Sequence, residues 1–454
     1  MALLLLLSAL SGLSRAETPA VPTEAPQPPE EGQVGPPAPE LRRTLSALNV
    51  RRTPDVKAAL RGQILSGALV RVWEQVEGPG CSAGWGKIDE DAYVCLSATE
   101  VRELPSAELP VAPPVPASEE ALPVAPLVVP DENAVLPYLY GRPGRRGPAP
   151  LYASAEAWAA GAEKVGELEA DRAMLFVGTQ ATSKGDVLVR RDGTVVPAAE
   201  VVLYPIDRFQ GRDFTREALP EDRLPAWATA SRGTPVYSAP STEAEVGATL
   251  PARTPLLLAG SPVDADGRWW SVPDGLGPGR PGYVEDSGGL RHATRLAPPA
   301  EVSSALWVDV DLSEQVLMLW ENDQLRYATL VSTGKPGHST PTGIFRIADK
   351  AATRDMASLP DAKEAYFVEG VPWVMHFAPR YALHGAFWHS SFGRVRSHGC
   401  VNLAPLDAHW VFDQLEPTLV EGWSVVYESP AHPGTTVRIR NGAQPVVDRR
   451  TPLK

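Results

Sequence analysis

Two proline-rich stretches constrain the fold of this chain most strongly, because they divide it into separate folded units. Residues 17–44 and 104–133 are rich in Pro and contain several Glu. Segments of this composition stay extended and act as linkers. The chain has 47 prolines among 454 residues, about twice the average usage. A single compact core is also unusual at this length, so we predict several domains.

The net charge excludes one broad class of partner. The formal charge is −13 at pH 7, with 42 basic and 55 acidic residues. Nucleic acids and anionic lipids are bound through clustered Lys and Arg. We therefore expect no nucleic-acid partner.

The N-terminus has the pattern of a secretory signal peptide. Residues 2–10 are apolar, and Ser14 and Ala16 are small residues spaced as at a cleavage site. No Lys or Arg precedes the apolar run, which is also shorter than the ~20 residues that span a bilayer. We predict that residues 1–16 direct export to the periplasm or cell envelope. The sequence leaves open whether they are cleaved or kept as an anchor.

The three cysteines divide into a pair and a single residue. Cys81 and Cys95 flank a short segment with β character, and in an oxidising compartment they plausibly form a disulfide. Cys400 then has no partner. An unpaired cysteine in an exported protein is a reactive thiol, an intermolecular link or a buried inert side chain.

Three small β units are predicted between the linkers and residue 300. We call residues 45–103 the first unit, 134–215 the middle unit and 224–296 the third unit. Asp192-Gly193 lies between two apolar runs of the middle unit and predicts a hairpin turn.

The first and third units share an order of motifs. In the third unit a strand follows Arg232-Gly233, then a Gly-Trp strand at 267–270 and a Tyr-Val strand at 281–284. This order resembles the small bacterial SH3-like β-barrel, and the middle unit is interpreted as a divergent copy. The alternative is that these are generic small β domains with Trp as core filler.

Residues 300–430 form the last predicted domain, followed by a C-terminal extension at 431–454. Alternating apolar residues and tight turns predict a mostly antiparallel β fold. A helix is predicted from Pro405 to Leu415, because Pro suits a first helical position and the apolar residues line one face. The predicted strands lie at 308–310, 314–320 and 324–331.

The residues around Cys400 indicate nucleophilic catalysis. A free thiol is only a few per cent ionised at pH 7, so a base near the sulfur is required. His384 is the favoured base, and an imidazole can also return the proton to the leaving amine. Gly399 has no Cβ to block approach to the neighbouring amides, which suits an oxyanion site.

Other roles for the histidines stay open at this point. Five of the eight lie between His376 and His409. A zinc site from His384, His398 and Cys400 is one alternative, but no CxxC, HExxH or HxH pattern supports it. His409 is interpreted as structural. His389 is interpreted as structural or as an alternative base.

The motifs around these residues carry a family resemblance. Ser397-His-Gly-Cys-Val-Asn402 with His384-Gly385 upstream resembles the signature of the L,D-transpeptidases, whose catalytic domain is called YkuD. Val331-Ser-Thr-Gly334 and Thr340-Pro-Thr-Gly343 resemble two further family segments. The resemblance covers roughly residues 305–428 and implies a YkuD-like β-sandwich or barrel with one or two short helices.

The resemblance implies a cysteine acyltransferase acting on peptidoglycan stem peptides. Cys400 would attack the bond before the terminal D-alanine of a tetrapeptide, and an acceptor would resolve the thioester. Substrate-cleft candidates are Tyr381, Trp388 and Asn402. The implied roles are nucleophile for Cys400, proton donor and acceptor for His384, orienting carbonyl for Gly385, oxyanion side for His398 and Gly399, and loop support for Ser397.

The acceptor is left open by the sequence. A second stem, a D-amino acid, a protein or water would give cross-linking, exchange, anchoring or an L,D-carboxypeptidase-like hydrolase. A wall-binding scaffold that acts through the SH3-like units is the alternative from another class. No cofactor is implied, and the oligomeric state is undetermined. Only 12 residues, 385–396, separate His384 from Ser397, fewer than in many family members.

Overall fold

The structure is a computed structural model, and it describes residues 39–101, 134–358 and 366–450, apart from 146, 171, 300, 301, 303 and 304. The predicted signal peptide and the 104–133 linker lie outside the described residues. The described chain is mostly β, as predicted. None of its helices is long and apolar enough to cross a membrane.

The first unit begins earlier than predicted. Strand β1 lies within the segment assigned to the 17–44 linker and pairs with β4 and β8. Its Arg42 donates a hydrogen bond to Thr99, 2.7 Å away. These partners are distant in sequence, which is why the linker boundary was wrong. The strands are β1 Glu40–Thr44, β2 Leu48–Arg51, β3 Leu60–Ile64, β4 Leu69–Val72, β5 Glu74–Val76, β6 Trp85–Asp89, β7 Ala92–Cys95 and β8 Thr99–Val101.

Cys81 and Cys95 are joined by a disulfide beside β6 and β7 of this unit. Cys400 is the free cysteine. The three cysteines thus divide into a bonded pair and a single residue, as the sequence suggests. The SH3-like character of the unit stays a prediction.

The middle unit contains short antiparallel strands and one helix. The hairpin predicted at Asp192-Gly193 is confirmed, because β14 and β15 pair antiparallel on either side of it. The elements are β9 Leu139–Pro143, β10 Ala149–Leu151, α1 Ala155–Ala159, β11 Gly166–Leu168, β12 Met174–Phe176, β13 Gly178–Thr182, β14 Gly185–Val189, β15 Val195–Pro197, β16 Val201–Leu203 and β17 Arg212–Asp213.

The third unit is a seven-stranded antiparallel sheet with its own core. Trp270 and Leu258 are buried in that core. The strands are β18 Arg223–Ala228, β19 Thr234–Tyr237, β20 Val246–Leu250, β21 Pro255–Asp264, β22 Arg268–Val272, β23 Gly282–Glu285 and β24 Leu290–His292.

The last domain has the predicted strands and helix. The elements are β25 Leu306–Asp311, β26 Val316–Glu321, β27 Gln324–Ser332, β28 Gly343–Arg346, β29 Asp349–Ala357, β30 Phe367–Ala378, β31 Tyr381–Gly385, β32 Val401–Leu403, α2 Pro405–Gln414, β33 Trp423–Tyr427 and β34 Thr436–Arg440. The strands follow the order β28-β34-β25-β26-β27-β32-β31-β30-β29-β33.

Two cores cover opposite faces of β25 and β26. Val308 and Leu317 belong to the larger core, and Trp307 and Val316 to the smaller one. Successive side chains of a strand point to opposite faces, so both faces of this sheet are covered. This is why the strands are nearly all apolar.

Strand β34 corrects the predicted C-terminal boundary. It lies between β25 and β28, inside the segment assigned to a C-terminal extension at 431–454. Its Arg438 and Arg440 are buried and form ion pairs with the buried Asp309, while Arg440 also pairs with Asp311. In the sequence, two arginines in a short segment indicate a solvent-exposed tail. Their carboxylate partners, Asp309 and Asp311, lie far away along the chain, so the burial of this strand could not be predicted.

The sheet of the last domain continues into the first unit. Strand β3 pairs antiparallel with β33, with Gly62 opposite Val426. A Cβ at Gly62 would lie 2.3 Å from a ring carbon of Trp423, so the close approach of the two strands requires glycine here.

Candidate active site

The pairing of β31 and β32 brings His384 and Cys400 to one face of the sheet. The strands are parallel, with Leu383 opposite Val401 and His384 opposite Asn402. Paired side chains point to the same face, and the alternation along β32 places Cys400 on the face of Asn402. Leu383 and Val401 point the other way, into the larger core.

His384 is held in one tautomer. Its side chain is buried, and Nδ1 lies 3.1 Å from the carbonyl oxygen of Gly385. A carbonyl can only accept, so Nδ1 carries the proton and Nε2 has a free lone pair. Burial lowers the pKa of His384 to about 4, although the Gly385 carbonyl opposes this shift. The imidazole is therefore neutral at pH 7 and able to act as a base.

The thiol of Cys400 is also neutral at pH 7. The residue is half-buried, and its Sγ lies 3.8 Å from the carbonyl oxygen of Arg380. Burial raises the pKa of the thiol above its ordinary value, and a backbone hydrogen bond from Ala382 opposes this only in part. The two groups are thus a neutral thiol and a neutral imidazole rather than a thiolate and an imidazolium.

Ser397 holds the nucleophile loop, Ser397–Cys400, in shape. Its hydroxyl donates to the carbonyl of Cys400 and accepts the backbone N–H of Gly399, 3.1 Å away. Loop support is the role predicted for Ser397, and these two contacts are the bonds through which it would act. The N–H of Gly399 is thus already bound by the hydroxyl of Ser397, and the oxyanion side expected at His398 and Gly399 stays a prediction.

Gly399 is required for a different reason. Its φ angle is +121°, which side chains of L-residues rarely allow, and a Cβ would lie 2.6 Å from Cε1 of Tyr381. The ring of Tyr381 therefore packs directly on the loop that carries Cys400.

The segment Val331–Gly343 supports the nucleophile loop from the other side. Thr340 accepts the N–H of Gly334 at 2.9 Å and donates to the carbonyl of Gly399 at 2.8 Å. The N–H of Lys335 donates to the carbonyl of Ser397 at 3.0 Å. These bonds give a physical reason for the two motifs of this segment.

Gln315 extends this support and was missed in the sequence. Its side-chain oxygen accepts the N–H of Thr333 at 2.9 Å, and its amide nitrogen donates to the Thr333 hydroxyl at 2.6 Å. The carbonyl of Thr333 in turn accepts the N–H of Ser397 at 3.0 Å. Gln315 and Thr333 lie far apart in the sequence, so their contact could not be predicted. The sequence offers only a weak indication of a role for Gln315, namely a polar amide next to a run of apolar residues.

His389 is bound at both ring nitrogens. Its Nδ1 accepts the N–H of Ser391 at 3.2 Å, so the proton is on Nε2. Nε2 lies 3.0 Å from the side-chain nitrogen Nδ2 of Asn402. With the ring proton on Nε2, the flipped orientation of this amide group places its oxygen there as the acceptor. Burial lowers the pKa of His389 to about 3, with help from the charge of Arg396. With no free lone pair, His389 is a poor candidate for the base.

A cleft of about 830 Å³ opens onto Cys400 and His384. The three residues predicted to face substrate, Tyr381, Trp388 and Asn402, all line it. His398 also lines it, with its ring 4.6 Å from His338 and 5.0 Å from Tyr366. We call this space the active-site cleft.

The active-site cleft is cationic although the chain as a whole is acidic. Its lining contains the side chains of Arg142, Lys335, Arg380 and Arg396, and no Asp or Glu among the residues described there. The cleft therefore suits a ligand that bears carboxylates. Across the described chain, no three His, Cys, Asp or Glu side chains are grouped so that they could hold a metal.

Asp407, a second residue missed in the sequence, anchors helix α2. Its buried carboxylate accepts hydrogen bonds from Tyr327 at 2.6 Å, from Thr329 and from the N–H of Gly211 at 2.7 Å. Burial raises its pKa to about 6, against these three donors. Asp407 therefore fixes α2, which follows the nucleophile, to β27 and to the end of the middle unit.

Comparison with known families identifies this region. Residues 305–439 match the family model described as the L,D-transpeptidase catalytic domain, YkuD. This part of the chain is a YkuD-type L,D-transpeptidase catalytic domain. The match extends into β34, the strand that lies outside the predicted C-terminal boundary.

The YkuD domain has relatives among curated and solved proteins. L,D-transpeptidase 1 of Mycobacterium tuberculosis is 30% identical over 120 residues, which cover 25% of this chain and 48% of that protein. The chain thus spans about half the length of this relative.

Solved structures similar to the chain include two L,D-transpeptidases. The catalytic domain of the E. faecium enzyme is 22% identical, with a TM-score of 0.25 over 30% of this chain and 96% of that chain. L,D-transpeptidase 3 of Mycobacterium tuberculosis with a faropenem-derived adduct is 17% identical, with a TM-score of 0.26 over 36% and 73%.

Proposed function

We propose that this chain is an L,D-transpeptidase that acts on peptidoglycan stem peptides through a thioester on Cys400. The observation that carries the proposal is the placement of Cys400 and His384 on one face of paired strands, inside the active-site cleft. The tautomer of His384 leaves Nε2 free to accept a proton.

Acylation begins with a neutral pair. As the sulfur of Cys400 attacks the carbonyl carbon before the terminal D-alanine, Nε2 of His384 takes the thiol proton. The tetrahedral intermediate collapses, the C–N bond breaks, and the imidazolium returns that proton to the leaving amine. The product is a thioester on Cys400 and free D-alanine.

Deacylation reverses the proton path. An acceptor amine attacks the thioester carbon and gives its proton to His384, and the departing sulfur takes that proton back. An amine acceptor gives cross-linking, exchange or protein attachment, and water gives hydrolysis. Backbone N–H groups of the nucleophile loop other than that of Gly399 are the proposed oxyanion donors.

Export to the cell envelope belongs to the same proposal. Peptidoglycan lies outside the cytoplasm, and the apolar run at 2–10 matches a signal peptide. Cell fractionation of the full chain and of a chain lacking residues 2–16 tests it. A loss of envelope localisation supports the proposal, and unchanged localisation contradicts it.

The test of activity uses a defined disaccharide-tetrapeptide, read by mass spectrometry with and without an acceptor stem. We expect loss of D-alanine and a new linkage with the native chain, and neither product with Cys400→Ala. Cys81→Ser combined with Cys95→Ser is the matched control, since neither cysteine is among the residues that line the cleft. Full activity of Cys400→Ala contradicts the mechanism, and free tripeptide as the sole product favours the hydrolase.

A further inference from the structure

The middle unit forms one wall of the active-site cleft. Arg142, Ala170, Ala173 and Tyr204 line it together with residues of the YkuD domain. All four lie outside residues 305–439, which match the family model. The cleft is therefore built by two parts of the chain, and one of its walls comes from outside the catalytic domain.

Backbone pairing holds this wall in place. The N–H of Ala173 donates to the carbonyl of Phe367 at 3.2 Å, and the N–H of Glu369 donates to the carbonyl of Ala173 at 2.9 Å. The carboxylate of Glu369 accepts the N–H of Leu175 at 3.1 Å. Ala173 and Leu175 are buried in the larger core together with YkuD residues. The wall is thus hydrogen-bonded to the YkuD domain and shares its buried core.

An aromatic series connects the wall to the catalytic base. Tyr140 of β9 stacks on Phe387 with ring centres 3.9 Å apart, and Tyr204 contacts the same ring at 5.4 Å. Phe387 contacts Trp388 at 5.0 Å, and Trp388 lies 5.7 Å from the ring of His384. The short loop after His384 therefore packs against the middle unit through Phe387.

Arg142 brings a cation to the cleft from the same strand as Tyr140. Its side chain is exposed, and its charge acts on the hydroxyl of Tyr204, where it opposes the rise that burial causes in the pKa of that tyrosine. The three other cations of the lining come from the YkuD domain. A guanidinium binds a carboxylate through two parallel N–H donors, a geometry that favours Arg in carboxylate recognition.

We propose that the middle unit is a substrate-binding wall and that Arg142 binds a carboxylate of the peptide in the active-site cleft. The proposal rests on the proposed function for the class of ligand, and it adds a specificity residue from outside the catalytic domain. It also assigns the middle unit a part in substrate selection in addition to any binding of the cell wall.

Binding to a chain that cannot turn over tests the proposal. In the full chain with Cys400→Ala, calorimetry measures the Kd of a muropeptide tetrapeptide and of the same peptide with amidated carboxyl groups. The variants are Arg142→Gln and Arg142→Lys. Arg145→Gln is the matched control, because Arg145 is exposed on the same unit and lies outside the cleft lining.

We expect Arg142→Gln to raise the Kd of the carboxylate peptide by about tenfold or more, as for loss of one charged hydrogen-bonded contact. The Kd of Arg142→Lys should lie between that of the parent and that of Arg142→Gln. The Kd of Arg145→Gln should equal that of the parent. The amidated peptide should bind the parent and the Arg142→Gln variant equally. The same Kd for the carboxylate peptide in Arg142→Gln and the parent overturns the proposal, as does absence of binding to the parent. Failure of the proposed function shows separately, as lack of turnover by the native chain.

Discussion

The carbonyl oxygen of Gly385 lies 3.1 Å from Nδ1 of His384, so a residue and its own neighbour in β31 fix the tautomer of the imidazole. No acidic side chain is needed to orient the ring. The ring of His384 is buried, and its Nε2 lone pair is the one that remains for proton transfer.

The first prediction separates His384 from His389. We expect His384→Ala to reduce turnover of the tetrapeptide by about 10²- to 10⁴-fold, the usual contribution of general acid–base catalysis. His389→Ala is the matched variant and should lose much less, because its ring nitrogens already hold Ser391 and Asn402. Steady-state kinetics of both variants measure this, and a larger loss in His389→Ala reverses the assignment.

The second prediction concerns the charge state of the pair. Since burial lowers the pKa of His384 to about 4 and raises that of Cys400, no ion pair forms at neutral pH. Alkylation of Cys400 by iodoacetamide should therefore rise about tenfold per pH unit from pH 6 to 8, following the thiolate fraction. An ion pair gives a flat rate over that range.

The readout is specific because Cys81 and Cys95 are joined by a disulfide, so Cys400 is the cysteine that labels. His384→Gln is the control. In a neutral pair the charge of His384 does not promote ionisation, so this variant should keep a similar slope with pH. If the alkylation rate at pH 6 is lower in His384→Gln than in the native chain, the native pair is an ion pair.

The third prediction concerns the nucleophile loop. Gly399→Ala forces a side chain into a φ of +121° and against the ring of Tyr381. Strain of this kind costs about 1–3 kcal/mol. We expect turnover and the alkylation rate of Cys400 to fall more than tenfold, because the loop must shift.

A double variant distinguishes the two sources of this strain. Tyr381→Ala removes the contact but leaves the backbone angle unchanged. The combination of Gly399→Ala with Tyr381→Ala should therefore recover part of the alkylation rate, measured against Tyr381→Ala alone. Unchanged turnover in Gly399→Ala shows that the loop tolerates a Cβ.

The parts of the site that could be predicted from sequence are those that are local. The nucleophile loop and the His384-Gly385 pair lie within short motifs, so their chemistry can be predicted from residues that are adjacent in the sequence. Residue types at turns and an apolar period likewise predicted the first three strands of the YkuD domain, β25 to β27, and helix α2.

Long-range partners explain what the sequence did not reveal. Gln315 and Asp407 look like ordinary polar residues until Thr333 and Tyr327 are brought against them. Arg438 indicates a solvent-exposed tail until it meets Asp309. The contact between Tyr140 and Phe387 joins two units that composition suggested were independent. In each case the decisive neighbour lies far away along the chain.

The last prediction concerns the pH dependence of stability at Asp407. Its pKa is raised to about 6 in the folded chain and is about 3.9 in an unfolded one. The unfolded state therefore loses this proton first as the pH rises. The contribution of Asp407 to stability is greatest below pH ~4 and falls between pH ~4 and ~6, by about 3 kcal/mol at most.

Asp407→Asn removes this titration while keeping the shape of the side chain. The difference in unfolding free energy, native chain minus variant, should therefore decrease as the pH rises from 4 to 7. The contributions of the other titrating groups are the same in both chains and cancel in this difference. Urea unfolding followed by circular dichroism at several pH values measures it. A difference that stays constant with pH means that the carboxylate has the same pKa in both states, and that its three donors fully offset its burial.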